Sequence, residues 1–147
     1  MKENDNLRDE YSNLFEDVLP DMAFARIALQ QQAEAINIWI GNQRSVTALH
    51  KDPFENVYVQ IRGEKHFVLL SSVEAPCVNE QLLPRGRYVL DSNTGHFAVS
   101  IDEHSGKLPV ATWDPDSPAE RVSSYSKLAR PLRVTLKEGD MLYLPAM

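Results

Sequence analysis

The sequence has 147 residues, of which 43% are hydrophobic and 24% are charged, a balance typical of a globular chain with one core. The net charge of -6 and the lack of any Lys/Arg run argue against nucleic acid or an anionic membrane as the main partner. The single cysteine, Cys77, excludes an intrachain disulfide and favours a reducing compartment. The expected location is the cytoplasm, with the nucleus as the alternative.

The start of the chain predicts helices. Acidic and aliphatic residues indicate a short helix that ends at Pro20, because proline removes a helical hydrogen bond. Met22–Ala35 consists mostly of good helix formers. Together these segments predict a helical lead-in over residues 11–35.

From residue 36 to 147 the pattern predicts strands joined by Gly, Asn and Pro turns. The first two are INIWI and SVTALH. The next segment has Val57, Val59 and Ile61 on one face, and Asn56, Tyr58 and Gln60 on the other.

Three pairs of neighbouring strands are predicted to form hairpins. The turn RGEK joins the Val57 strand to KHFVLL, SNTG joins RYVLD to HFAVSID, and KEGD joins LRVTL to MLYLP. Strands this short and this close together favour an antiparallel barrel or jelly roll, with a sandwich as the alternative.

His50 and Asp52 are the first candidate site residues. At a spacing of two they share one face of a strand, as two members of a 2-His-1-carboxylate triad for Fe(II) would. The spacing alone is a weak signal, since surface His–Asp pairs are common. Lys65, just past the RGEK turn, is either an exposed hairpin lysine or a cation for a ligand carboxylate.

The segment TALHKDPFENVYVQIRGEKHF resembles the metal-binding region of the jumonji-C oxygenases, which depend on Fe(II) and 2-oxoglutarate. The resemblance extends through NIWIGNQRSVTALHKD, WDPDSPAERVSSYSKL and LRVTLKEGDMLYLP, and is strongest to the lysyl hydroxylases of that family. It implies a mainly β fold, a double-stranded β-helix (a cupin-like jelly roll) with N-terminal helices. Residues 1–147 would then be a partial jumonji-C domain.

The resemblance also implies the roles of individual residues. His50 and Asp52 match iron ligands. Thr47 and Lys65 match the hydroxyl and the ammonium that hold the far carboxylate of the 2-oxoglutarate co-substrate. Asn56 matches a polar co-substrate contact, and Tyr58 lies where the family lines that pocket. The family's distal iron-binding histidine is expected in a W-x-H setting just after YLPA, whereas the sequence ends at Met147. None of His66, His96 and His104 matches that position, so the expectation is a C-terminally truncated domain.

By resemblance the activity is hydroxylation of a protein side chain, a lysine on a GTP-binding protein partner. Two alternatives remain open. One is a cupin-like binding module without oxygenase chemistry. The other is a metal-dependent peptidase, for which the sequence has no HExxH signal.

Overall fold

The computed structural model describes residues 5–147, so the first four residues of the predicted domain lie outside the described residues. It divides into two compact units, Met1–Thr47 and Ala48–Met147. The first contains the helices α1 (Ser12–Phe15) and α2 (Ala23–Leu29). Among residues 5–147, no helix has the length and hydropathy needed to cross a membrane.

The second unit is built mainly of strands. Two short 3-10 helices, Ser72–Val78 and Ser126–Leu128, interrupt them. In chain order the strands are β1 (Asn56–Val59), β2 (Lys65–Leu69), β3 (Gln81–Leu83), β4 (Gly86–Leu90), β5 (Phe97–Ile101), β6 (Leu108–Val110), β7 (Leu132–Leu136) and β8 (Met141–Leu144).

The strands pair antiparallel in a nested order. β4 pairs with β5, β3 with β6, β2 with β7, and β1 with β8. The central hairpin is thus followed outward by partners increasingly distant in sequence, which is the connectivity of a jelly roll. The predicted fold class, mainly β with helices before the strands, is confirmed.

Of the three predicted hairpins, only β4–β5 is confirmed. The other two predictions are wrong, because β1 pairs with β8 and β2 with β7. The turn glycines Gly63 and Gly139 do have the positive φ of tight turns, 73° and 89°. However, these turns carry the chain from one sheet to the other. The alternation of residue types shows which side chains share a face, but not which strand lies alongside.

Residues 36–50 differ from the prediction, since they form no strand. In the first unit, backbone N–H groups of this segment donate to side-chain oxygens instead of to the carbonyls of a neighbouring strand. The Ile36 N–H donates to Asp5 Oδ1 at 2.7 Å, and the Ile38 N–H to Asn6 Oδ1 at 2.8 Å. These short polar side chains satisfy backbone groups locally and so compete with a sheet ladder.

The second predicted helix is also shorter than expected. It begins at Ala23 but ends at Leu29 rather than Ala35, with Gln30 in the left-handed conformation at φ 53°. The Arg8 guanidinium donates to the carbonyls of Ala33 and Glu34. Those carbonyls are therefore satisfied without a further helical turn.

The interior of the second unit lies between the β1–β8 and β2–β7 pairs. Leu136 is 4% exposed and lies opposite Lys65 in the β2–β7 register. At the other end of that pair, Leu132 is 65% exposed. One buried apolar side chain of this unit therefore lies next to Lys65, while Cys77 and Trp113 are buried elsewhere in the unit.

This difference gives a stability test within one strand. Leu136→Ala is expected to lower the free energy of unfolding by about 2–5 kcal/mol, because it leaves a cavity among buried neighbours. Leu132→Ala, the matched control, is expected to change it by about 0.5 kcal/mol or less. Urea denaturation of both variants measures the difference. Equal losses would contradict this assignment of the core.

Candidate functional site

The polar face of β1 is turned toward the interior. Gln60, just past the end of the strand, is 8% exposed, whereas the adjacent Ile61 is 74% exposed. The Tyr58 ring meets the Phe67 ring of β2 edge to face, with centroids 5.0 Å apart and planes at 76°. Asn56, Tyr58 and Gln60 thus form a half-buried wall of the interior, although Val57 and Val59 on the other face of the strand are also half-buried.

Lys65 lies on the same wall. It is half-buried, while its neighbours Glu64 and His66 are exposed. Its Nζ lies 6.0 Å from the centroid of the Phe67 ring, two residues further along the strand, within the range of a cation–π contact. Lys65 is thus not a freely solvated hairpin lysine; its ammonium borders an aromatic surface that Phe67 shares with Tyr58.

His50 and Asp52 come together outside any strand. Their Nε2 and Oδ2 atoms are 3.7 Å apart, and the side chains are 57% and 54% exposed. His50 Nδ1 lies 2.7 Å from the carbonyl oxygen of Ala48. Since a carbonyl only accepts, the neutral imidazole carries its hydrogen on Nδ1 and keeps a lone pair on Nε2. This is the arrangement found in metal-ligating histidines.

The chemistry of this donor pair fits a metal ion. Nitrogen and oxygen ligands lie about 2.0–2.2 Å from such an ion, so two atoms 3.7 Å apart are close enough to bind the same one. In the part of the chain that the structure describes, no third His, Cys, Asp or Glu joins them. The described residues therefore bring together two of the three donor groups that a facial triad would need.

Backbone and charge contacts hold the His50–Asp52 segment in place. The carbonyl of Asp52 accepts a hydrogen bond from the N–H of Met147 at 2.8 Å. Lys51, between the two candidate ligands, pairs with Glu80 at 3.4 Å. The segment is therefore fixed by contacts from other parts of the second unit, although it lacks a strand ladder.

The other predicted site residues have separate environments. Asn56 Nδ2 donates to the carbonyl of Phe54 at 3.2 Å, which leaves its Oδ1 available. Thr47 is exposed and is the last residue of the first unit. Its role in co-substrate binding stays a prediction, as do the roles of the five residues in the second unit.

The three remaining histidines lie elsewhere. His66 is exposed on β2, with Nδ1 at 2.7 Å from Thr135 Oγ1 of β7. His96 precedes β5, and His104 follows it in a turn; both are exposed. His66 therefore provides a control for the role of His50.

Comparison with known proteins identifies the family. A family model described as a cupin-like domain matches residues 1–147. The chain belongs to this cupin-like family.

Curated relatives connect this cupin-like domain with jumonji-C proteins. The lysine-specific demethylase JMJ32 of Arabidopsis thaliana is 35% identical over 154 residues, which cover 100% of this chain and 45% of the relative. The bifunctional peptidase and (3S)-lysyl hydroxylase JMJD7 of Homo sapiens is 37% identical over 148 residues, 100% and 46% of the two chains. JmjC domain-containing protein E of Dictyostelium discoideum is 30% identical over 156 residues, 99% and 44%.

These matches confirm the resemblance to jumonji-C proteins. The chain spans less than half the length of these three relatives.

The sequence analysis did not predict that Phe67 belongs to the site. It placed Gln60 on the polar face of a strand but predicted no function for it. The signal for Phe67 was available, because it lies two residues after Lys65 and so shares its face on a strand. Gln60 makes contacts that no sequence pattern records. Its side-chain oxygen accepts the Tyr58 hydroxyl at 3.0 Å, so this wall of the cupin-like domain includes a buried amide.

Burial raises the pKa of Tyr58 above its usual value of 10.0, because desolvation disfavours the phenolate. A raised folded-state pKa gives stability that is present below the unfolded value and is lost as pH rises through the folded value. The stability of the domain is therefore expected to fall above about pH 10. In Tyr58→Phe this fall should be shallower. Urea unfolding at a series of alkaline pH values measures it, and parallel curves for the two proteins would contradict the assignment.

Proposed function

We propose that the protein is an Fe(II)- and 2-oxoglutarate-dependent oxygenase of jumonji-C type that hydroxylates a lysine side chain of a protein substrate. The observation that carries the proposal is Lys65, a half-buried cation on the interior wall beside Phe67 and Tyr58. The convergent donor atoms of His50 and Asp52 support it further. So do the names of two relatives, a lysyl hydroxylase and a lysine-specific demethylase.

The charge of Lys65 suits the far carboxylate of 2-oxoglutarate. A carboxylate removed from water needs a fixed cation or several donors, since an unpaired buried charge costs several kcal/mol. A lysine ammonium supplies that charge at one point and can donate three hydrogen bonds. In this proposal Asn56 adds a polar contact to the co-substrate and the Tyr58 ring lines its site, while the role of Thr47 is the one that the resemblance to the jumonji-C oxygenases implies.

His50 and Asp52 would bind the iron through Nε2 and Oδ2. The lone pair of Nε2 is available because the Ala48 carbonyl holds the hydrogen on Nδ1. Iron with 2-oxoglutarate supplies the oxidising power for hydroxylating a C–H bond, and the protein supplies binding and orientation. The apolar Tyr58 and Phe67 rings would exclude water from one side of the co-substrate.

The proposed substrate is a lysine-containing segment of a GTP-binding protein in the cytoplasm or nucleus. The net charge of -6 favours the approach of such a cationic segment. Incubation with Fe(II), 2-oxoglutarate and lysine peptides should give succinate and a hydroxylated peptide. The rival function, a binding module without turnover, would give 2-oxoglutarate binding and no succinate.

The metal ligands can be tested with two histidine substitutions. His50→Ala is expected to weaken Fe(II) binding at least about tenfold, since loss of even an outer-shell partner of a metal ligand costs about 10–100-fold. His66→Ala, the matched control, should leave Fe(II) affinity unchanged, because His66 bonds to Thr135. Anaerobic calorimetry measures both affinities. Equal effects of the two substitutions would refute the metal assignment.

The co-substrate cation can be tested independently of turnover. Lys65→Met keeps the length of the side chain but removes the charge. It should weaken 2-oxoglutarate binding about 10–100-fold, the value of a hydrogen bond to a charged group. Lys107→Met, at an exposed position before β6, is the control and should bind normally. Calorimetric titration with 2-oxoglutarate gives the dissociation constants, and normal binding by Lys65→Met would refute the assignment.

A further inference from the structure

Gln60 is a buried polar residue just past the end of β1, on the same wall as Tyr58. Its backbone N–H donates to the Asp140 carbonyl at 2.9 Å, and its own carbonyl accepts the Gly139 N–H at 2.8 Å. These two bonds tie it to the turn before β8. Burial of an amide side chain at this point requires that its polar atoms find partners.

The side-chain contacts of Gln60 fix the orientation of its amide group, that is, which end is the NH2 group and which is the oxygen. Its Nε2 donates to the carbonyl of Arg62 at 2.8 Å. A carbonyl can only accept, so the NH2 group must face Arg62 and the amide oxygen must face the other way. That oxygen lies 3.0 Å from the Tyr58 hydroxyl. Because an amide oxygen also only accepts, Tyr58 must be the donor.

The Tyr58 hydroxyl has a single hydrogen. Once that hydrogen is directed to Gln60, the oxygen can offer only lone pairs to a molecule in the interior. Lone pairs repel a carboxylate. On this wall, among the described side chains, Lys65 then offers a positive donor, whereas the Tyr58 oxygen can only accept.

We propose that Gln60 is a positioning residue that withholds the Tyr58 hydrogen, so that a bound dicarboxylate is held by Lys65 without a hydrogen bond from Tyr58. The inference rests on the proposed function. It gives Tyr58 the role of an aromatic wall against Phe67, in place of a donor to the co-substrate.

The first test is Tyr58→Phe, which keeps the ring and removes the hydroxyl. Its dissociation constant for 2-oxoglutarate, measured by calorimetry with a bound divalent metal, should stay within about threefold of the wild-type value. A donor to a carboxylate would be worth roughly tenfold or more. A loss larger than threefold therefore overturns the proposal.

The second test removes the acceptor. In Gln60→Leu the Tyr58 hydrogen is released and can reach the ligand carboxylate, so 2-oxoglutarate should bind about tenfold more tightly. Adding Tyr58→Phe should abolish that gain, which a double-mutant cycle reveals as coupling between the two positions. Unchanged affinity in Gln60→Leu, or a gain that survives in the double variant, overturns the proposal. Should Gln60→Leu fail to fold, the Tyr58→Phe result decides.

A spectroscopic measurement separates this proposal from the proposed function. The Raman doublet of tyrosine distinguishes a donating from an accepting hydroxyl. The difference spectrum between wild type and Tyr58→Phe isolates the Tyr58 signal and should show a hydroxyl that donates a hydrogen bond. A spectrum typical of a hydroxyl that only accepts overturns the inference. If neither the wild type nor Lys65→Met binds 2-oxoglutarate, the proposed function fails, together with the ligand part of this inference. The Raman result then decides the Gln60–Tyr58 pairing alone.

Discussion

The candidate site depends on one contact across the interior, the edge-to-face packing of Tyr58 on Phe67. The two rings come from successive strands, yet those strands belong to different sheets. An aromatic pair of this kind contributes about 0.5–1.5 kcal/mol beyond the area it buries. Its larger consequence is geometric. Because the rings meet, the side chains that share their faces, Asn56 on β1 and Lys65 on β2, line the same interior.

That contact is held by strands far away in sequence. In the β1–β8 pair Tyr58 lies opposite Leu142. In the β2–β7 pair Lys65 lies opposite Leu136. The wall therefore forms only after residues some 70–85 positions apart have paired. Pairing at such separation carries a loop-closure cost and slows folding. The burial of the Leu136 side chain, which lies opposite Lys65, offsets part of that cost.

The SNTG turn correctly predicted the β4–β5 hairpin, which depends on neighbouring residues. His50 and Asp52 lie 3.7 Å apart, although the strand on which they were expected to share a face does not form, and their role as ligands stays a prediction. Strand partners could not be predicted in the same way. Tight turns at Gly63 and Gly139 are compatible both with hairpins and with a crossing between sheets. The structure resolves this choice by pairing β1 with β8 and β2 with β7, and periodicity does not encode contacts with such distant strands. Likewise, the Asp5 and Asn6 side chains that replace a ladder at residues 36–38 act from some 30 residues away.

Two backbone carbonyls decide the hydrogen positions in the site. The Ala48 carbonyl holds the hydrogen of His50 on Nδ1 and so leaves Nε2 free for a metal. The Arg62 carbonyl orients the Gln60 amide, which in turn takes the hydrogen of Tyr58. Both groups only accept, so neither arrangement can be reversed without moving the main chain. One carbonyl precedes β1 and the other follows it. The chemical state of the side chains on both sides of this strand is therefore set by the course of the backbone, and a substitution that shifts either carbonyl would change it without touching a ligand-binding residue.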